Sequence, residues 1–194
     1  GLGDVYKRQP LATVALTHVV HGRHAYKGLA LLAATAMMLR LELVCLAVPA
    51  YLWTWWHHQR RFVYVFMTGA VTCAGSIALS VLVDSYFWRK RFLWPEGHAV
   101  IFNVIEGRRA EWGVSPPWTY VVRDLPRILF AAFPLALLGC TRRSSFRSPL
   151  VLLICTHVGL MSFLAHKEWR FLVYIVPLCN MLAAQGASML IRTY

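Results

Sequence analysis

The sequence predicts an all-α, multi-pass membrane protein, and three observations support this fold class. Of the 194 residues, 58% are hydrophobic and only 14% are charged, whereas about 25% of the residues in a soluble domain are charged. The apolar residues form long blocks, and about 20 consecutive apolar residues cross a bilayer as a helix. The basic residues, which give a formal net charge of +12, lie in short clusters between these blocks.

This distribution of residues excludes several other classes of protein. A nucleic-acid-binding protein carries its basic residues on one solvated face, not between apolar blocks. The five cysteines lie inside apolar blocks and form no C-x-x-C pair, which excludes a secreted disulfide scaffold and a zinc ribbon. No cluster of metal ligands is recognisable, so we predict no metal site.

Seven apolar segments are expected to form the membrane bundle. They span residues 10–20, 28–39, 43–56, 62–83, 125–140, 149–165 and 171–191. The first is too short to cross a bilayer and is expected to be the end of a truncated helix. Pro134 should kink the fifth, because proline removes a hydrogen bond from a helix interior. Residues 1–9 are expected to be a non-native, adapter-like peptide, with residues 10–194 an internal part of a longer protein.

Charge placement predicts the side of the membrane that each loop faces. The short loops 21–27, 57–61 and 141–148 contain Lys and Arg but no acidic residue, so the positive-inside rule places them in the cytosol. The polar segment 84–124, which is rich in acids, is then one long loop on the opposite, lumenal side. Residues 28–56 must begin and end in the cytosol, so we expect a hairpin with Arg40-Leu41-Glu42 at its apex.

Candidate binding residues occur in three places. Arg40 and Glu42 are ionisable groups inside apolar sequence, which pair with each other or face a polar cavity. The long loop contains residues suited to holding a sugar, through indole faces and hydroxyl hydrogen bonds. These are Asp84, Trp94, Glu96 and Trp112. An aromatic belt at the membrane interface, or a loop that lies on the bilayer, is the alternative interpretation of this segment.

The third candidate is the cluster HKEWR at residues 166–170, which lies at the boundary of two apolar segments. It falls on the acid-bearing side, where the positive-inside rule does not place cations. Basic residues in such a place suggest an anionic ligand held by charge-assisted hydrogen bonds. The alternative is that the cluster only anchors two helix ends. The candidate residues are His166, Lys167, Glu168 and Arg170.

These blocks together resemble glycosyltransferase family 22, the endoplasmic reticulum mannosyltransferases that use dolichyl-phosphate mannose. The resemblance rests on HKEWRF at 166–171, LRLEL at 39–43, DSYFWR at 84–89, WPEG at 94–97, FN at 102–103, WGVSP at 112–116 and LP at 125–126. It implies a GT-C type helical bundle in the endoplasmic reticulum membrane, with its active site in lumenal loops.

The resemblance also implies the reaction and its partners. Mannose would pass with inversion from the lipid-linked donor to a lipid-linked oligosaccharide acceptor, and the combination of blocks favours α-1,6 transfer to the precursor of N-glycans. No cofactor and no nucleic acid is expected. Lys167 and Arg170 would bind the donor phosphate, oriented by His166 and Glu168. In this family the carboxylate base lies in the first lumenal loop, which is expected to be outside these residues; the catalytic residues stay unassigned, and this fragment alone should be inactive.

Two alternatives stay open at this point. One is a sibling of the same family that forms α-1,2 linkages on the lipid-linked oligosaccharide or in the assembly of GPI anchors. The other is a protein of a different class, a multi-pass transporter or flippase whose charged residues line a substrate pathway. Transporters are typically built from internal repeats, and we find no repeat in this sequence.

Overall fold

The computed structural model describes residues 2–57, 61–102, 113–142 and 148–193, and every regular element in these ranges is helical. The chain divides into two compact units, Gly1–Trp112 and Gly113–Tyr194. Two helical segments of the described residues are long and apolar enough to cross a membrane, Phe62–Trp88 and Trp169–Arg192. The all-helical architecture predicted from the sequence is therefore present.

The described residues of the first unit contain five α-helices and one short 3₁₀ turn. They are α1 (Leu2–His21), α2 (Ala25–Met38), the 3₁₀ turn (Leu41–Leu43), α3 (Val44–His57), α4 (Phe62–Trp88) and α5 (Pro95–Val100). Helices α1 and α2 pack closely at Gly28, where a Cβ atom would lie 2.5 Å from the carbonyl oxygen of Ala15 and 2.9 Å from the Cβ of His18. The absence of a side chain at Gly28 thus permits this close approach.

The predicted hairpin is formed by α2 and α3, which meet at the 3₁₀ turn. The hydroxyl of Tyr51 on α3 donates to the carbonyl of Leu29 on α2 at 3.1 Å. These two residues are equally far from Arg40 along the chain, as expected for antiparallel arms. Each arm has 14 residues and is about 21 Å long at 1.5 Å per residue. Each is therefore shorter than the hydrocarbon core of about 30 Å.

Helix α4 is longer than the apolar segment 62–83 predicted from the sequence, because residues 84–88 continue the helix. The hydroxyl of Ser80, one turn earlier, donates to the carboxylate of Asp84 at 2.6 Å, which accommodates the acid within the helix. The helix ends at Arg89, whose φ of 51° is left-handed. The segment 84–124 is therefore not a continuous loop, since it contains the end of α4, the helix α5 and a π-helical turn.

The second unit contains the other helices of the described residues. They are the π-helical turn (Tyr120–Asp124), α6 (Leu125–Leu129), α7 (Ala132–Thr141), α8 (Pro149–Ser162), a 3₁₀ helix (Trp169–Ile175) and α9 (Val176–Thr193). Helices α7 and α9 pack together at two glycines, Gly139 and Gly186. A Cβ atom on Gly139 would overlap the carbonyl oxygen of Leu182, and one on Gly186 would overlap that of Leu135. Small residues of this kind allow helix backbones in membrane proteins to approach closely.

Two prolines explain where the helices of the second unit differ from continuous spans. The expected kink is a break between α6 and α7 at Phe130, whose φ is 47°. Pro134 lacks the amide proton that would bind the carbonyl of Phe130 in a continuous helix. Similarly, Pro177 has no amide proton for the carbonyl of Val173. The amide of Val176 binds that carbonyl instead, so the predicted segment 171–191 begins as a 3₁₀ helix.

Candidate functional site

The candidate residues are divided between the two units. Arg40, Glu42, Asp84, Trp94 and Glu96 lie in the first unit, His166, Lys167, Glu168 and Arg170 lie in the second, and Trp112 lies outside the described residues. The two groups are therefore described separately.

In the second unit, the HKEWR cluster is held against the residues that precede the π-helical turn. The amide of Ser115 donates to the carbonyl of Ala165 at 3.0 Å. The amide of Glu168 donates to the hydroxyl of Tyr120 at 3.1 Å, and Tyr120 is completely buried. Two stretches of chain about 50 residues apart in sequence thus form one structural unit, and the cluster has a fixed backbone.

Lys167 is the most buried residue of the cluster, with a relative exposure of 7%. Its ammonium donates to the carbonyl oxygens of Leu164 at 2.7 Å and Ser115 at 3.1 Å. The nitrogen also lies 6.0 Å from the centre of the Tyr120 ring. Desolvation lowers the pKa of Lys167 below its ordinary value. Two of the three ammonium donors thus bind the backbone just before the cluster and that of the segment packed against it.

Arg170 is the more accessible cation, with 37% of its side chain exposed. Its Nε donates to one carboxylate oxygen of Glu168 at 2.8 Å, and its Nη2 contacts the same oxygen. The other oxygen of Glu168 lies 3.7 Å from Nε2 of His166, whose Nδ1 is 3.3 Å from the carbonyl oxygen of Gly113. Glu168 therefore lies between His166 and Arg170 and orients the guanidinium.

In the first unit, Arg40 and Glu42 bind each other at the hairpin apex. The distance from Nε of Arg40 to Oε1 of Glu42 is 2.9 Å, and 11% of the Glu42 side chain is exposed. The carboxylate of Glu96 accepts a hydrogen bond from the amide of Leu41 at 3.0 Å. Burial raises the pKa of Glu96, and the nearby Glu42 adds to this, while the Leu41 amide and Arg40 oppose it.

Trp94 connects α5 to the same apex. Its indole Nε1 donates to the carbonyl of Met37, the penultimate residue of α2, at 3.0 Å. The indole also covers Gly97, where a Cβ atom would overlap the ring. Trp94 and Glu96 are thus brought together with the Arg40–Glu42 pair, whereas the carboxylate of Asp84 binds Ser80 on its own helix.

Two residues that hold these sites were not predicted from the sequence. Tyr120 supports Glu168 although 48 positions separate them, and the carbonyl of Ser115 binds Lys167 across 52 positions. In the sequence, Tyr120 is one of several aromatic residues in a polar segment and nothing indicates its burial, while a backbone carbonyl gives no sequence signal. Among the residues that the structure describes, no group of three His, Cys, Asp or Glu residues could hold a metal ion.

Comparison with known proteins identifies relatives of the chain. The Alg9-like mannosyltransferase family profile matches residues 10–194. The probable Dol-P-Man:Man(7)GlcNAc(2)-PP-Dol alpha-1,6-mannosyltransferase of Schizosaccharomyces pombe is 36% identical over 84% of this chain and 30% of its own length. The enzyme named Dol-P-Man:Man(7)GlcNAc(2)-PP-Dol alpha-1,6-mannosyltransferase in Saccharomyces cerevisiae is 33% identical over 92% of this chain and 32% of its own length.

Relatives with a different name match either less of the chain or at a lower identity. GPI alpha-1,2-mannosyltransferase 3 of Danio rerio is 31% identical over 54% of this chain and 19% of its own length. No solved structure matches the chain. The chain spans about a third of the length of the two yeast relatives. Because the family profile extends over residues 10–194, the chain belongs to the Alg9-like mannosyltransferase family.

Proposed function

We propose that this chain is part of an α-1,6-mannosyltransferase of the endoplasmic reticulum membrane. The enzyme takes mannose from dolichyl-phosphate mannose and transfers it, with inversion, to a lipid-linked oligosaccharide. The observation that carries this proposal is the similarity to the two yeast proteins named for that activity, which extends over 84% and 92% of the chain. GPI alpha-1,2-mannosyltransferase 3 of Xenopus laevis covers a similar share of the chain, 82%, but is only 24% identical, which makes its activity the less favoured alternative.

The proposed enzyme is a multi-pass protein with a GT-C type helical bundle. Its all-helical architecture and its two helices long enough to cross a membrane support this proposal. The shorter apolar helices α2, α7 and α8 are further proposed membrane segments. The loops rich in Lys and Arg face the cytosol, and the HKEWR cluster faces the lumen.

The proposed reaction is a displacement at C1 of the donor mannose. The 6-hydroxyl oxygen of the acceptor forms a bond to C1 while the bond from C1 to the phosphate oxygen breaks. A carboxylate base takes the hydroxyl proton, and dolichyl phosphate leaves with the electron pair of the broken bond. The base is not assigned to any residue of this chain. The residues assigned here act on the leaving phosphate and on the sugars.

Arg170 is the proposed ligand of the donor phosphate, because its guanidinium is both oriented by Glu168 and partly exposed. A fixed cation stabilises the charge that develops on the phosphate as the bond breaks. Lys167 has a positioning role in this proposal, because its ammonium binds two backbone carbonyls. His166 supports Glu168 from the opposite side.

In the first unit, Trp94 and Glu96 are the proposed sugar-binding residues, with Asp84 and Trp112 as further candidates from the same polar segment. The hydrogen bonds of Trp94 and Glu96 to the hairpin apex fix both side chains. Arg40 and Glu42 stabilise this apex, because they bind each other.

Complementation of yeast strains tests the proposed function. The full-length gene product is expressed in separate strains that each lack one mannosyltransferase of this family. We expect rescue of the strain that lacks the α-1,6 enzyme, with extension of the Man7 intermediate to Man8. Rescue only of a strain deficient in α-1,2 transfer would contradict the linkage. Movement of a lipid across the membrane without any glycosyl transfer would contradict the enzyme class.

A further inference from the structure

The end of α4 carries an exposed surface that the proposed function has not used. Tyr86, Phe87, Trp88 and Phe92 are 79%, 75%, 67% and 85% exposed. Between these aromatic residues lie three consecutive cations, Arg89, Lys90 and Arg91, which are also exposed. We refer to residues 86–92 as the 86–92 surface.

The backbone of this surface is folded against the end of α4. Arg89 ends the helix in the left-handed conformation, with φ 51°, and its amide donates to the carbonyl of Tyr86 at 3.4 Å. The amide of Leu93 donates to the hydroxyl of Ser85 at 2.9 Å, which closes the turn. Glycine is the usual residue at such a helix end. Arg89 in this left-handed conformation is strained, and it adds a cation to the turn.

The three cations have no carboxylate partner within the part of the chain that the structure describes. The ion pairs found there involve other residues, and the nearby carboxylate of Asp84 is bound to Ser80. The negative end of the α4 dipole favours a cation near the last turn. In the proposed topology, however, three cations lie on the lumenal side, opposite to the positive-inside tendency. An anionic ligand explains this placement.

A neighbouring cavity indicates what kind of anion fits. It has a volume of about 430 Å³ and is lined by Val81 and Leu82 of α4, Ser85, Arg91 and Phe92. Part of the apolar wall thus belongs to the membrane helix, and Arg91 lines the same cavity. This arrangement matches an amphiphile whose hydrocarbon chain lies along α4 and whose charged headgroup lies at the 86–92 surface.

We infer that the 86–92 surface binds the diphosphate of the lipid-linked acceptor, with the adjoining part of its lipid chain in the cavity. This inference rests on the proposed function, which requires two lipid substrates. The donor is a phosphodiester with one negative charge, for which Arg170 is the proposed ligand. The acceptor's diphosphate carries two negative charges and more acceptor oxygens, and therefore better matches three adjacent cations.

Direct binding of a polyprenyl diphosphate tests the inference independently of transfer. The full-length protein is placed in nanodiscs of neutral phospholipid, and the affinities are measured for a polyprenyl diphosphate that carries GlcNAc2 and for polyprenyl-phosphate mannose. As in the proposed acceptor and donor, the diphosphate has two negative charges and the monophosphate has one. The test variant combines R89G, K90Q and R91Q; glycine suits the left-handed position, so the variant should fold. The control variant combines R23Q and K27Q, which remove two exposed cations near the start of α2.

We expect the wild type to bind the diphosphate more tightly than the monophosphate. The triple variant should weaken diphosphate binding about 10-fold or more, because each charge-assisted hydrogen bond to phosphate is worth at least that factor. The control variant should bind as the wild type does. Equal diphosphate affinities of wild type and triple variant would overturn the inference, as would an equal loss for both ligands.

A transfer assay then separates this inference from the proposed function. The triple variant should raise KM for the lipid-linked acceptor, while KM for dolichyl-phosphate mannose and turnover of the free Man7GlcNAc2 glycan stay unchanged. An effect of the variant that occurs only when anionic phospholipid is added would identify a general membrane anchor and overturn the inference. A wild type that binds the diphosphate but transfers no mannose would contradict the proposed function alone.

Discussion

Lys167 and Arg170 are three residues apart and carry the same charge, yet their surroundings differ. The Lys167 ammonium is buried and donates to two backbone carbonyls, whereas the Arg170 guanidinium is partly exposed and paired with Glu168. The sequence predicted a common role in phosphate binding for both residues, and that role stays a prediction. The geometry supports different roles, because a cation that satisfies buried carbonyls contributes to folding.

Alanine substitutions at these two positions should therefore have different consequences. Lys167→Ala leaves the carbonyls of Leu164 and Ser115 without this donor and should lower the free energy of unfolding by about 1–3 kcal/mol. Arg170→Ala should leave stability and protein abundance nearly unchanged but lower turnover about 10²–10³-fold. Arg170→Lys keeps the charge and should retain more activity than Arg170→Ala. Thermal unfolding and microsomal transfer activity per molecule measure the two effects. Near-normal specific activity of Arg170→Ala would refute the phosphate role.

Glu96 gives a prediction for pH dependence. Its pKa in the folded protein is raised above the ordinary value of 4.5, chiefly by burial. Between the ordinary and the raised pKa the folded state binds more protons than the unfolded state, so stability falls as pH rises through this window. Glu96→Gln removes the ionisation, and its amide oxygen can still accept from Leu41. We expect this variant to be more stable than the wild type at neutral pH, with the difference shrinking below pH 4.5.

Thermal unfolding in detergent between about pH 4 and 8 measures this difference. Glu42→Gln is the matched control, because it weakens the ion pair with Arg40 and should lower stability at neutral pH. A Glu96→Gln variant that is less stable than the wild type at neutral pH would show that the ionised carboxylate stabilises the apex.

At the scale of the elements, the α7–α9 packing depends on two glycines that permit backbone contact. Gly139→Ala and Gly186→Ala should each lower the free energy of unfolding by about 1–3 kcal/mol, because the added methyl group overlaps a backbone carbonyl that cannot rotate away. Gly75→Ala and Gly159→Ala are controls, since nothing lies within 4 Å of a Cβ at either position. The controls should match or exceed wild-type stability, because alanine favours helix. Equal stability of all four variants would exclude the close packing.

The same elements show what the sequence could and could not predict. The charged interruption at Arg40-Leu41-Glu42 located the turn of the hairpin, because charged side chains are costly to place inside a membrane. Pro134 located the break before α7, because proline removes a hydrogen bond from a helix. The end of α4 was placed too early, at Asp84, because hydropathy treats an acid as the end of a span. A single hydrogen bond from Ser80 makes Asp84 compatible with the helix, and hydropathy does not register that bond.

At the scale of the whole molecule, the candidate sites were predictable as residue types but not as contacts. Charged residues within or next to apolar segments indicated HKEWR and the Arg40–Glu42 pair as candidate sites. The partners that hold them, such as Tyr120 with Glu168 and Glu96 with the Leu41 amide, are 48 and 55 positions apart. Contacts over such separations depend on tertiary packing, which neither periodicity nor local charge encodes. The proposed reaction rests on the relatives, because composition alone does not specify one.

The proposed topology is tested by introducing glycosylation acceptor sites into the full-length gene product. The chain has only two asparagines, Asn103 and Asn180, and neither begins an N-x-S/T sequence, so the wild type provides a background free of acceptor sites within these residues. An acceptor placed at position 108 should be modified in endoplasmic reticulum microsomes, because the acidic segment is assigned to the lumen. Acceptors at positions 23 and 142 should stay unmodified, because their loops carry Arg and Lys without acids and are assigned to the cytosol.

Removal of the added glycan by an endoglycosidase provides the measurement, as a reversible change in electrophoretic mobility. Position 23 is the most informative of the three, because it lies just before the hairpin. Each arm of the hairpin has 14 residues and is shorter than the membrane core. If the hairpin returns to the side from which it starts, positions on either side of it share the cytosolic face. Modification at position 23 but not at 142 would mean that residues 28–56 change sides in a single crossing. Arg40 and Glu42 would then lie within the membrane instead of at a lumenal apex.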